Sequence, residues 1–90
     1  MSDLEISGCR LVCGGECPEQ YDVFLGKERI GYLRLRLGSF TAKYPDVGGD
    51  FVYQASPAGS GVFCDDERER YLTRAVNACL FRHRGLAPHN

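Results

Sequence analysis

Five cysteines, two histidines and a short run of acids are the residues of this 90-residue chain whose chemistry could reach beyond folding. Cys9, Cys13 and Cys17 recur every fourth residue, with Cys64 and Cys79 further along. A helix would align the first three, but Gly14, Gly15 and Pro18 oppose a helix there. A structural zinc ion wants four ligands, usually as pairs two to four residues apart. Cys13 and Cys17 would make one such pair, with Cys9 and Cys64 completing the set, yet no second tight pair exists. A Cys13–Cys17 disulfide formed under oxidation is the alternative. The odd count without an export signal reads instead as reduced thiols around a Gly-rich turn, so no metal or other cofactor is assigned. Cys79 and Cys64 read as core filler.

Nucleophilic catalysis has little to stand on. His83 and His89 both lie near the C-terminal end, and a Ser–His or Cys–His pair would need one of them to reach the remainder of the chain. His83 is more simply a cation at a helix end. Asp65, Asp66, Glu67 and Glu69 could serve as general acid and base or as a magnesium site. Helix capping and the helix dipole account for all four. Gly59-Ser60-Gly61 resembles part of a phosphate cradle, but the carboxylates that follow would repel a phosphate.

These side chains need elements to position them, and the hydrophobic period changes once. Residues up to 64 alternate like strands, and residues 66–84 follow a helical period. Leu33, Leu35 and Leu37 take one parity while Tyr32, Arg34 and Arg36 take the other. A two-residue turn at Gly38-Ser39 would pair Leu37 with Phe40, Leu35 with Ala42 and Leu33 with Tyr44. It would also pair Arg36 with Thr41 and Arg34 with Lys43, so cations and apolar residues separate onto opposite faces. Upstream, Tyr21, Val23 and Leu25 alternate before a turn at Gly26-Lys27-Glu28. Burying them requires an odd-length loop or a bulge near Ile30-Gly31, which turns Phe24 and Tyr32 outward with the arginines. Pro45 to Gly49 form a turn, Phe51, Tyr53 and Ala55 a strand, and Pro57 to Gly61 a loop before Val62-Phe63-Cys64. Residues 4–12 add one further strand.

The helix expected over about 66–84 carries Leu72, Ala75, Val76, Cys79 and Leu80 as one apolar stripe. Asp65 or Asp66 would cap it, Arg82, His83 and Arg84 suit its negative end, and Gly85 stops it. Residues 86–90 read as a loose tail. The expected fold is α+β: a single domain over 1–90, with an antiparallel meander of four to five strands within 3–64 and one C-terminal helix on one face.

The face away from that helix holds the sharper signal. Between 27 and 43, Lys27, Arg29, Arg34, Arg36 and Lys43 face Glu28 alone, with Phe24 and Tyr32 among them. Arg and Tyr are favoured where partners dock. The candidate binding face is therefore Phe24, Tyr32, Arg34, Arg36, Thr41 and Lys43, against the alternative of an ordinary solvated sheet face. The total charge is -1, from 11 Lys plus Arg and 12 Asp plus Glu. That balance disfavours a nucleic-acid coat or a membrane-surface protein, although single-stranded nucleic acid could stack on Tyr32. Another protein, or a second copy offering its acidic helix start, fits better. Hydrophobic content of 43% indicates a folded, soluble chain. No bilayer-length apolar run and no signal-like start point to the cytoplasm.

One stretch resembles a family of small uncharacterised bacterial proteins found on mobile elements such as phage, plasmids and integron gene cassettes. The resemblance lies in Cys17-Pro18-Glu19-Gln20-Tyr21-Asp22-Val23, Gly31 to Arg36, Val52-Tyr53, the Ser56-Pro57 to Gly61 loop, Phe63 and Asp65-Asp66-Glu67-Arg68 to Tyr71-Leu72. It covers roughly two-thirds of the chain, implies no activity, and brings no catalytic residues with it. Leu37 departs from it, since a polar residue is expected before the turn glycine. The function expected is thus a non-enzymatic protein–protein interaction or self-associating module. The alternative is a small enzyme or ligand-binding protein built from loops 45–50 and 57–61 with the acids at the helix start.

Overall fold

The computed structural model describes residues 4–13, 20–58, 63–64 and 66–85. Six strands run β1 (Leu4–Ile6), β2 (Cys9–Cys13), β3 (Gln20–Leu25), β4 (Glu28–Arg36), β5 (Ser39–Tyr44) and β6 (Asp50–Ala55), followed by α1 (Arg68–His83). The sheet is an antiparallel meander in which every strand pairs with its neighbours in the chain. The α+β class and the C-terminal helix match the sequence reading. The strand count is six rather than four to five, because residues 4–12 are not one strand. Ser7 and Gly8, both at positive φ, fold them into a hairpin closed by Ile6 and Cys9.

The β4–β5 hairpin keeps its expected faces and changes its register. Leu37 and Gly38 form the turn, at φ 53° and 81°, so Arg36 pairs with Ser39, Leu35 with Phe40 and Leu33 with Ala42. The two-residue turn that matches the twist of flanking strands needs positive φ at both central residues, and Gly38 as the second supplies one at no steric cost. Moving the turn by one position shifts each cross-strand partner by two, which leaves every residue on its expected face. Only Leu37 changes environment, from a buried place opposite Phe40 to 84% exposure.

Two bulges adjust the sheet. Val23 pairs with Gly31 and Phe24 with Arg29, so Ile30 is the extra residue, as the alternation of β3 requires. Ala42 pairs with Tyr53 and Lys43 with Phe51, which makes Val52 extra and turns Phe51 away from the face of Tyr53. Strand alternation alone puts Phe51 on the same face as Tyr53 and Ala55; the bulge overrides it.

The inner face of the sheet, with Leu11, Tyr21, Val23, Ile30, Leu33, Leu35, Phe40 and Ala42, is buried. The α1 stripe buried against it is Leu72, Ala75, Val76, Cys79 and Leu80, the set that the helical period marks. Phe40 sits edge-on to Phe63 with ring centroids 4.8 Å apart, and Phe63 stacks on Tyr71 at 5.9 Å. Sheet, loop and helix therefore share one aromatic cluster. The helix comes close to the sheet at Gly31, where a Cβ would lie 2.5 Å from the Cys79 sulfur.

The helix start differs from expectation. Glu67, not Asp66, occupies the N-cap position and is only 4% exposed. Its carboxylate caps no helix N–H. It accepts instead from the backbone N–H of Ala58 at 3.0 Å and of Cys64 at 2.9 Å, tying the incoming loop down. Asp65 lies outside the described residues. At the other end the Gly85 N–H donates to the Arg82 carbonyl, closing the helix where Gly85 was expected to stop it.

Candidate functional site

The outer face is assembled by cross-strand rows. Asp22, Tyr32, Lys43 and Phe51 lie in one row across β3 to β6, and Gln20, Arg34, Thr41 and Gln54 in the next. Arg36 follows beside Ser39, and Arg10 and Arg29 flank Phe24 on either side. The structure thus brings together all six residues singled out for binding: Phe24, Tyr32, Arg34, Arg36, Thr41 and Lys43. Their common face follows from parity, and the Ile30 bulge brings Phe24 and Tyr32 into step with the arginines.

Several of these side chains are held in place. The Arg10 and Arg29 guanidinium groups stand 5.1 Å and 5.6 Å from the Phe24 ring centroid. Lys43 Nζ lies 4.8 Å from the Phe51 centroid and donates to the Val47 carbonyl at 3.3 Å. The Tyr32 hydroxyl donates to Gln20 Oε1 at 2.8 Å. Arg29 Nε is 3.9 Å from Asp22 Oδ1, a contact exposed enough to be worth little. Arg34 and Arg36 are exposed and form no ion pair among the described residues.

Two members of the face were not evident in the sequence. Arg10 could be read from its parity between Cys9 and Leu11, given the β2–β3 pairing. Phe51, at 62% exposure, could not, because only the Val52 bulge puts it there.

The alternative constellations do not converge. Cys9 and Cys13 lie four residues apart on β2, about 13 Å at the rise of a strand, which is too far to share one ion. Cys17 lies outside the described residues. Cys64 is exposed rather than in the core, whereas its neighbour Phe63 is buried. No group of three or more His, Cys, Asp or Glu residues suited to a metal occurs among the described residues. Cys79 is buried as expected. Burial pushes its thiol up to about 12, and the nearby Cys9 adds to the rise. Burial likewise raises Cys9, with Arg84 opposing. Neither thiol is a ready nucleophile.

Loop 45–50 and the helix-start acids are also apart. Asp50 meets Arg82 in the last turn of α1 at 2.9 Å, while Glu67 meets Ala58 at the first. Sixteen residues of helix separate these ends, about 24 Å. Residues 59–61 lie outside the described residues. Among the described residues, a groove of about 470 Å³ is lined by Asp66, ahead of the helix, and by Glu69, Arg70, Thr73 and Arg74 on it, and loop 45–50 takes no part in it. His83 does more than end the helix: its Nδ1 is 3.0 Å from the Tyr44 hydroxyl and its Nε2 3.6 Å from Glu28. His89 lies outside the described residues. No described helix is long and apolar enough to cross a membrane.

Fold and face together define a small α+β domain with one side of its sheet covered by α1 and the other left bare by the described residues. No family model, curated protein or solved structure matches the chain.

Proposed function

We propose that this chain is a non-enzymatic interaction module whose bare sheet face docks an acidic surface of another protein, and that it also self-associates. The observation that carries this reading is the pair Arg34 and Arg36, exposed on the uncovered face with no ion pair among the described residues. The half-buried rings of Phe24 and Tyr32 and the exposed ring of Phe51 border them. Five cations (Arg10, Arg29, Arg34, Arg36 and Lys43) share the face with Glu5 and Asp22. The net charge of -1 favours a protein over nucleic acid, because no basic surplus remains elsewhere to hold a phosphate backbone. A second copy is a poor occupant of this face. Glu67 is turned inward at its helix start, and Asp66 and Glu69 stand beside Arg70 and Arg74.

Fluorescence anisotropy with a labelled glutamate-rich peptide, and with a single-stranded oligonucleotide of equal charge, tests the reading. The peptide should bind the wild type in a salt-dependent manner, and R34E/R36E should weaken it at least tenfold at unchanged circular dichroism. Preference for the oligonucleotide would assign the face to nucleic acid. Binding of neither probe would leave it a solvated face.

A further inference from the structure

The two edges of the sheet are treated differently. Exposed edges are normally protected by short strands, lysine, proline or bulges. β1 is three residues long and carries Glu5. β6 has six residues, no proline and no cation, and its only charge, Asp50, is engaged by Arg82 at 2.9 Å. Its bulge at Val52 leaves Tyr53 to Ala55 in regular register, and no described residue pairs with its far side.

The direction of the backbone groups follows from the β4–β5 turn. Arg36 and Ser39 close that two-residue turn as a hydrogen-bonded pair, and bonded and non-bonded pairs alternate from there. Ser39, Thr41 and Lys43 thus bond toward β4, and Phe40 and Ala42 bond toward Ala55 and Tyr53 of β6. Gln54, between those two, directs its N–H and C=O to the open edge, and its side chain is exposed.

The geometry points to a second copy of this chain on that edge, with β6 of each copy pairing antiparallel about a two-fold axis. An antiparallel edge strand is complementary to itself under such an axis, each donor meeting the acceptor of its twin. β6 carries one charge, Asp50 at its start beside Arg82, so little like-charge repulsion opposes two copies and a charged peptide finds little to answer. Two six-stranded sheets become one, and their bare faces join into a single surface with Phe51 of each copy near the seam. The inference rests on the self-association in the reading above and is independent of the partner proposed for the bare face.

Native mass spectrometry and light scattering over a dilution series test it. The wild type should pass from 10.0 kDa to about twice that mass as concentration rises. Gln54→Pro removes an N–H that serves no strand within the monomer and should hold the protein at the single mass. Phe51→Lys/Gln54→Lys, which leaves the backbone intact, should do the same by placing cations at the seam. R34E/R36E should still dimerise even where it has lost the acidic peptide. A wild type that stays monomeric at every concentration overturns the inference, as does a dimer that survives both β6 variants. Dissociation by R34E/R36E alone overturns it in favour of the bare face. Loss of peptide binding with the dimer intact concerns only the docking reading.

Discussion

Leu37 is the residue most at odds with its surroundings. It holds φ 53° at 84% exposure, so it bears the steric cost of a left-handed conformation and gains little from burial. Leu37→Asn should stabilise the fold by about 1 kcal/mol, since asparagine suits this turn position. Chemical denaturation measures the gain, and an unchanged midpoint would show the turn to be unstrained. Gly31 presents the reverse situation. A methyl group there would lie 2.5 Å from the Cys79 sulfur in a buried contact, so Gly31→Ala should cost about 1–3 kcal/mol. Adding Cys79→Ala opens room for that methyl, and the double variant should lose less than the sum of the single ones. Strict additivity would mean that the two residues do not touch. The need for glycine at 31 was not legible in the sequence, because it arises from a helix some 48 residues further along. Leu37 was partly legible: a leucine before a turn glycine is unusual, but its parity with Leu33 and Leu35 argued for burial.

At the scale of elements, Glu67 links a loop to a helix. Its carboxylate accepts the Ala58 and Cys64 backbone N–H groups, both ahead of the helix, so Glu67→Gln replaces a charged acceptor with an amide that has one acceptor oxygen. The expected loss is about 1–3 kcal/mol, with faster hydrogen exchange at the Ala58 and Cys64 amides than elsewhere. Uniform exchange would deny Glu67 this local role. Sequence reading took the same glutamate for a dipole partner because four acids before an apolar stripe offer several caps, and propensity cannot rank them. The stripe itself was legible to the residue, since Leu72, Ala75, Val76, Cys79 and Leu80 follow from a period of 3.6 alone. Strand faces were legible for a similar reason, as an alternation of two survives a moved turn. The β4–β5 register and the Val52 bulge were not, unlike the bulge at Ile30: they depend on what φ values Leu37 tolerates and on how Val52 meets the neighbouring strand. The candidate face inherited both results. Its β4 and β5 members were foreseen, while Arg10 and Phe51 emerged only from pairing.

For the whole molecule, the buried thiols set a limit in alkali. The ordinary thiol value is 9.0, and burial holds folded Cys79 protonated until about 12. Between these values the unfolded chain releases a proton that the folded chain keeps. Stability is therefore fully present below about pH 9 and falls as pH rises toward 12, by up to ~1.4 kcal/mol per pH unit. Cys9 acts in the same direction. Urea midpoints at pH 8 and pH 10.5 should therefore fall further for the wild type than for Cys79→Ala. Equal falls would remove the thiol as the cause.

The meander also fixes the order in which the molecule can be completed. Each strand finds its partner no more than about six residues further along the chain, so hairpins can close as they emerge, with little loop entropy to overcome. The helix that shields the apolar side follows all six strands in the chain. During synthesis a nearly finished sheet must therefore wait, its greasy side wet, for its last-made cover. A nascent chain halted before Arg68 would be a natural client for a chaperone, and one extended past Leu80 would have outgrown the need.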